Sequence, residues 1–400
     1  MIAHLDADAF FASVLQRLHP NAMGKPLLAL GMGGNCVISA SYEAKKRGVT
    51  AGMRIPDAKK LVPEAVVLPV AFQETGVASE EIETHLKRLC PETEQMSIDE
   101  WFMDLASLQG GNPLDLSAWA RGVQSLLWQR THLPVSLGIA PTKTLAKMGS
   151  DFRKPRGVTV IEGSSPSDLS IEAFLRDCDI NDIPGIGYRR GVHARSHGWK
   201  SAFDFAYADP DIVRHLFGRP GEELQQELRG EAVYEVIIED AAPKSLSRCR
   251  TFPKTMNRHF MEAQLFEHLS YVVLRMRHHG LAASGINVWL RDSDFYFSST
   301  DIKIPIPVST EEQIVPYMER LFRRIFDEKK KWNQVGLALF GLKPEGPAQY
   351  SLFDAPSNLD EAESLQKSMD TLRDKYGRDV IRRGYSVLLE KKRKNVVIQE

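Results

Sequence analysis

The spacing of apolar residues changes period repeatedly along this chain, and each change marks an element. Residues 2 to 5 read as a short buried strand ending in Asp6, and from 8 to 18 the apolar positions recur at helical spacing. Residues 26 to 30 and 35 to 39 have strand character and are split by the glycine turn Gly31-Met32-Gly33-Gly34. Short helices are predicted over 42 to 47 and 56 to 61, and a longer one over 79 to 89. Residues 95 to 105 read as a hairpin with Asp99-Glu100 at or near its turn. An amphipathic helix over 116 to 130, a strand over 134 to 139 and a helix over 142 to 148 complete the series. Strand, helix, hairpin, helix, strand is the order of an α+β domain of the split βαβ, ferredoxin-like type, with about 20 to 75 inserted in it. Residues 165 to 230 are helical and glycine-punctuated, and near 230 to 244 the chain becomes linker-like. Residues 245 to 342 alternate strand and helix as a separate α+β module. Its helix over 311 to 331 carries Ile314, Met318, Leu321, Phe322 and Ile325 on one core stripe, with Lys329-Lys330-Lys331 at a solvated basic end. After Lys343-Pro344-Glu345-Gly346-Pro347 follows a charged tail.

Composition narrows the class without deciding it. Four hundred residues allow two to four domains, and a net charge of −1 means that a nucleic-acid partner has to be sought in local charge. Over 243 to 345 there are 16 Lys/Arg against 11 Asp/Glu, so positive charge is segregated into the last module. Cys36, Cys90, Cys178 and Cys249 are scattered, with no zinc-ligand spacing, and suit a reducing cytoplasm. The opening lacks a basic leader, and no run of 18 apolar residues offers a membrane span. His278-His279 has no third ligand nearby.

Two acidic clusters carry candidate chemistry. Nucleotidyl transfer needs two hard cations roughly 3.5–4 Å apart, and magnesium takes carboxylate oxygens with substrate phosphates completing its shell. Asp6-Ala7-Asp8 ends the first strand, and Ser97-Ile98-Asp99-Glu100 is the second cluster. Neighbours on a flat strand point to opposite faces, so Asp99 and Glu100 share a site only if the chain turns there, which is the solution expected, or if the longer Glu100 side chain curls back.

Read with their neighbours, these motifs resemble the Y-family of DNA polymerases. Asp6-Ala-Asp8-Ala-Phe10-Phe11-Ala-Ser13 is similar to the family's first catalytic motif, and Ser97-Ile-Asp99-Glu100 to its second. Ser39-Ala-Ser-Tyr42-Glu-Ala-Lys45-Lys-Arg-Gly48 resembles the fingers motif, and Gly138-Ile-Ala-Pro-Thr-Lys143-Thr-Leu-Ala-Lys147 with Lys154-Pro155-Arg-Gly157 the third. Ile183-Pro-Gly185-Ile-Gly187 resembles the thumb hairpin, and Ser247-Arg248-Cys-Arg250-Thr-Phe252 the first little-finger strand. The resemblance implies a right-hand polymerase: palm 1–20 and 75–165, fingers 21–74, thumb 166–232, linker 233–243, little finger 244–343 and tail 344–400. Asp6, Asp99 and Glu100, with the Ala7 carbonyl, would hold two Mg2+ ions, with Mn2+ as a substitute. Ser39, Tyr42, Lys45 and Lys143 would hold the incoming deoxynucleoside triphosphate, beside Phe10 and Phe11. Phe11 would be the steric gate against a ribose 2′-OH, whereas Phe10 also reads as plain helix core. The implied activity is low-fidelity synthesis across damaged templates by a cytoplasmic monomer on primer–template DNA. A non-enzymatic adaptor of the same fold is the other reading. Lys45 stands where arginine is usual, Thr142 where asparagine is common and Leu15 where glutamate is, and Trp101 replaces a small residue.

Two further features point at partners. The glycines at 185 and 187 fit a helix-hairpin-helix turn whose backbone N–H groups approach a phosphate, and alternation along 244 to 252 sets Lys244, Arg248 and Arg250 in one row. In the tail, Gln349-Tyr-Ser-Leu352-Phe353 resembles the peptide that binds the bacterial sliding clamp.

Overall fold

The computed structural model describes residues 1–31, 35–162, 168–238, 242–345, 357–377, 380–381 and 384. The chain divides into two units, Met1–Asp240 and Ala241–Glu400. In the first, β1 (Ile2–Ala7) leads into α1 (Phe10–Leu18), and an excursion then builds β2 (Leu27–Leu30), β3 (Val37–Ala40), α2 (Tyr42–Lys45), α3 (Ile55–Leu61) and β4 (Val66–Pro69). The chain returns through α4 (Phe72–Leu89), β5 (Thr93–Gln95), β6 (Glu100–Asp104), α5 (Leu116–Thr131), β7 (Val135–Ala140), α6 (Lys143–Phe152) and β8 (Val158–Val160). The main sheet runs β5-β6-β1-β7-β8, with β1 antiparallel to both neighbours, and the excursion forms a small sheet β3-β2-β4. The split βαβ order read from the sequence is thus the observed one. α4 begins at Phe72, seven residues earlier than its apolar spacing announces, because the polar first turns still close backbone bonds, with the Thr75 hydroxyl donating to the Ala71 carbonyl at 2.7 Å.

Period-two alternation gives the main sheet two different faces. Ala3, Leu5, Trp101, Met103, Leu137 and Ile139 pack with Ala78, Ile82 and Leu86 of α4 and Ala120, Val123 and Leu127 of α5. Trp101, one of the departures from the family pattern, is therefore core. The alternate residues His4, Asp6, Glu100, Phe102, Ser136 and Gly138 turn toward α6. Gly138 permits that helix to lie close: a Cβ there would stand 2.0 Å from the Ala146 carbonyl oxygen and 2.3 Å from the Ser150 nitrogen. Thr142 caps α6 and donates its hydroxyl to the Glu227 carbonyl at 2.8 Å. Among the described residues, α7 (Ile171–Asp177), α8 (Tyr188–Ser196), α9 (Ala202–Ala206), α10 (Pro210–Phe217) and α11 (Arg219–Leu228) follow in the same unit.

The second unit contains β9 (Ser245–Thr255), α12 (Arg258–His278), β10 (Leu281–Asp292), β11 (Phe297–Val308), α13 (Glu311–Ile325), β12 (Trp332–Phe340), β13 (Lys343–Pro344) and α14 (Ser357–Tyr376). Its sheet runs β11-β10-β12-β9, and α12 and α13 share its apolar core. α13 stops at Ile325, not at 331. Phe326 turns extended and its ring lies 6.3 Å from Trp332, whose indole N–H donates to the Asp327 carbonyl at 3.1 Å, so Lys329, Lys330 and Lys331 sit in a turn. α14 docks through charge. Arg373 pairs with Glu311 at 2.9 Å with both side chains almost wholly buried, the Ser270 hydroxyl donates to the same carboxylate, and Arg277 pairs with Asp370 at 2.7 Å. His278 reaches Asp374 at 3.1 Å.

Candidate active site

Strand pairing brings the two acidic clusters together. Asp6 lies directly across from Glu100 in the β1–β6 ladder, and the Ala7 N–H donates to the Asp99 carbonyl at 2.9 Å. Facing residues in such a ladder have Cβ atoms about 4.5–5.5 Å apart. Residues 97 to 99 form a bend, so Asp99 escapes the strand alternation, as the turn expectation requires. The Ser97 hydroxyl donates to Asp99 Oδ1 at 2.6 Å and lies 3.4 Å from Glu100 Oε2, so one hydroxyl reaches both carboxylates.

Lysines neutralise this acidic face. Lys154 Nζ contacts Asp6 Oδ2 at 2.7 Å and Asp151 at 2.6 Å, and Lys147 Nζ contacts Glu100 Oε1. Among the described residues, no three acidic, histidine or cysteine side chains form a ready-made ligand set, and these ammonium groups hold the oxygens that such a set would use. Burial pushes the Asp6 carboxyl up to about 7, with Lys154 opposing the shift. A carboxyl raised in this way favours folding only while protonated. That contribution is complete below the unfolded value near 3.8 and is lost as pH rises through about 7. Metal-free protein is therefore expected to lose stability relative to Asp6→Asn across that window. Urea titrations of both proteins at each end check this, and parallel pH profiles would contradict it.

His4 is the buried neighbour of this cluster, and sequence reasoning missed it. Its Nδ1 lies 2.7 Å from the Ser150 hydroxyl, whose own proton goes to the Lys147 carbonyl at 2.8 Å. Nδ1 must then carry the ring proton, leaving bare Nε2 at 3.8 Å from Glu100 Oε1. Burial, followed by Lys147, holds the imidazole well below its ordinary value, so the ring is neutral. The signal was available: His4 and Asp6 are the polar residues at alternate positions of an otherwise apolar strand.

Asp8 fastens the surroundings. Its carboxylate accepts from the Ser136 hydroxyl at 2.8 Å, the Arg156 N–H at 2.7 Å and the Tyr42 hydroxyl at 3.4 Å. Burial again raises its carboxyl. Lys45 Nζ stands 4.6 Å from the centre of the Tyr42 ring. Phe10 is 1% exposed and belongs to the main-sheet core, in keeping with the plain helix-core reading of this residue. Phe11 is half-buried, edge-on to Phe72 at 6.2 Å. Ser39 pairs with Ala29 between β3 and β2. Lys143 is engaged away from the acids: its ammonium meets Glu94 at 2.6 Å and the Glu235 carbonyl at 3.1 Å, above the Phe102 ring. The segment 233–237 that supplies this carbonyl roofs a groove of about 640 Å³, walled by Phe102, Lys147, Gly185, Arg190 and Leu224. Buried Glu227 holds that segment by accepting the Val233 and Tyr234 N–H groups at 2.7 and 3.0 Å.

Gly185, at φ 87°, makes the turn before α8, Gly187 caps that helix, and Ile183 and Ile186 anchor the turn in the core. Arg248 and Arg250 share one face of β9, as alternation requires, and that face is the one turned to α12. Arg248 and Arg250 alternate in phase with buried Leu246 and Phe252, and Arg248 lies over the Tyr271 ring at 4.2 Å and 3.7 Å from Glu267, on the α12 side. Exposed Ser247, Cys249 and Thr251 occupy the other face. Lys244 precedes the strand and is exposed. Gln349, Leu352 and Phe353 lie outside the described residues.

The impB/mucB/samB family model matches residues 5–151, and the model of that family's C-terminal domain matches 243–352. The chain belongs to this family and is a Y-family DNA polymerase. It is similar to DNA polymerase IV of Treponema denticola, 28% identical over 95% of each chain. It is also similar to DNA polymerase IV 1 of Bacillus subtilis (strain 168), 28% identical over 98% of this chain and 94% of the other. Among solved structures, a Y-family DNA polymerase chimera of Dbh and Dpo4 matches 85% of this chain and 98% of its own, with a TM-score of 0.70 and 26% identity. An insertion ternary complex of Dbh DNA polymerase matches the same shares with a TM-score of 0.60 and 25% identity.

Proposed function

We propose that this chain copies damaged DNA templates, with Asp6, Asp99, Glu100 and the Ala7 carbonyl holding two Mg2+ ions at the joint between β1 and β6. The observation that carries this reading is the register that faces Asp6 with Glu100 and tethers Asp99 beside Ala7. The donors fit the ion: all are hard oxygens, and the burial that raises Asp6 leaves a site that favours added positive charge. When bound, the ions would activate the primer 3′-hydroxyl and offset charge on the triphosphate. Ser97 keeps Asp99 turned beside Glu100. Lys147 and Lys154 neutralise Glu100 and Asp6 in the metal-free protein and are released from them on loading. His4, neutral and fixed by Ser150, backs Glu100 without competing for its charge.

In this reading the main sheet with α4, α5 and α6 is the palm, the small sheet the fingers, α7 to α11 the thumb and the second unit the little finger. Tyr42, Lys45 and Lys143 grip the triphosphate. For Lys143 this requires release from Glu94 and the Glu235 carbonyl. The turn at Gly185 and Gly187 meets a DNA phosphate. Gln349, Leu352 and Phe353 bind the bacterial sliding clamp, and the enzyme works as a monomer in the cytoplasm. Metal-dependent extension of a primer on undamaged and abasic templates tests the activity, and DNA binding without extension would favour the adaptor reading. Phe11 packs against the sugar. Phe11→Ala is expected to raise ribonucleotide insertion relative to deoxyribonucleotide by roughly 10- to 100-fold, the range available to a steric contact. Single-nucleotide insertion kinetics measure it, and unchanged sugar discrimination removes the assignment.

A further inference from the structure

The tip of the hairpin between β10 and β11 exposes three aromatic side chains in succession. Phe295, Tyr296 and Phe297 are 69, 74 and 61% exposed, beside a sheet whose inner face is a closed apolar core. The tip is built rather than loose. Asp292 Oδ1 accepts the Asp294 and Tyr296 N–H groups at 2.9 and 3.0 Å, and the Ser293 N–H donates to the Lys331 carbonyl at 2.9 Å. Phe295 is held at φ 69°, a left-handed conformation that costs energy for an aromatic residue and persists only where its surroundings impose it. The Arg291 guanidinium supports two of the rings, 5.2 Å from the centre of Phe295 and 5.9 Å from that of Phe297.

The Ser293–Lys331 bond sets the turn carrying Lys329, Lys330 and Lys331 beside these rings. Of the nearby acids, Asp292 is buried under the tip, 4.0 Å from Lys330, Asp327 caps the Lys329 N–H, and Asp294 and Glu328 are exposed alongside Arg291 and the three lysines. Flat apolar faces edged by ammonium groups match a polyanion whose bases are open to stacking. Duplex DNA hides its base faces within the stack, whereas a single strand offers them. An apolar protein groove would bury the rings but would have no use for the adjoining cations.

We propose that this hairpin tip is a binding site for single-stranded DNA, its rings stacking on bases and Lys329, Lys330 and Lys331 pairing with the phosphates. The inference does not depend on nucleotidyl transfer, and its test reads binding alone. Full-length protein is titrated against a fluorescent oligothymidylate of about 16 residues, within the site sizes of stacking platforms, and against a blunt duplex of the same length. Tyr296→Ser/Phe297→Ser is expected to weaken oligothymidylate binding by roughly 10- to 100-fold and leave duplex binding unchanged. Tyr296→Phe should bind as wild type, since stacking needs the ring and not the hydroxyl. Should the double variant fail to fold by circular dichroism, Tyr296→Ser alone is read with the same expected direction. Unchanged oligothymidylate binding, or a parallel loss on duplex, overturns the proposal. Loss of sliding-clamp capture with single-strand binding intact also overturns it and assigns the tip to a protein partner.

Discussion

Asp99→Ala and Asp6→Ala are each expected to cut primer extension by at least about a hundred- to a thousandfold, the scale of removing one preorganised electrostatic group from an active site. The loss should fall on the rate and not on the fold. Asp99 is tied to Ala7 through its backbone carbonyl, a bond that the substitution leaves in place. Asp6→Ala removes a buried carboxyl that burial has already pushed up to about 7, and its partner Lys154 keeps Asp151 at 2.6 Å. Both variants should therefore melt as wild type or higher and bind primer–template DNA within a few-fold of it. Rapid-quench extension with Mg2+, beside anisotropy on the same DNA, separates chemistry from binding. Extension within tenfold of wild type in either variant would place the metal site elsewhere.

The second large effect lies far from that site, where α14 meets α13. Glu311 and Arg373 are 1 and 2% exposed as side chains and face one another at 2.9 Å. Removing one partner of a buried pair leaves the other charge uncompensated, at a cost of about 3–5 kcal/mol. Arg373→Ala is the sharper case, because it removes the cation facing Glu311 inside the folded unit, where the Ser270 hydroxyl donates to the same carboxylate. Its urea midpoint should fall by the corresponding amount, and proteases should cut α14 first. Replacing both with Met should restore most of the stability, since an apolar pair has no charge to strand. A double variant as weak as the single ones would show that packing of α14, not charge, sets the cost.

What was legible in the sequence follows from what local pattern encodes. The order of strands and helices in the main sheet was readable because its period switches cleanly between two and 3.6, and the acids were readable because their neighbours are so particular. Side-chain direction was less accessible. Arg248 looked like one of a basic row, yet Leu246 and Phe252, at the same parity, are buried, and that parity sets the side on which it lies. The end of α13 was hidden because Phe326 and Trp332 stop the helix by a contact across the following turn, which no helical stripe reveals. The pairings Lys147–Glu100, Lys154–Asp6 and His4–Ser150 join segments about 50 to 150 residues apart, and only the packing of α6 on the sheet creates them.

That packing has a mechanical consequence. At Gly138 no side chain separates strand from helix, so the acid-bearing strands and the lysine-bearing helix form a single stiff plate, unable to slide or part without breaking backbone contacts. Any reshaping that accompanies a catalytic cycle has to be carried by the lobes around the plate, among them the 233–237 roof that clasps Lys143.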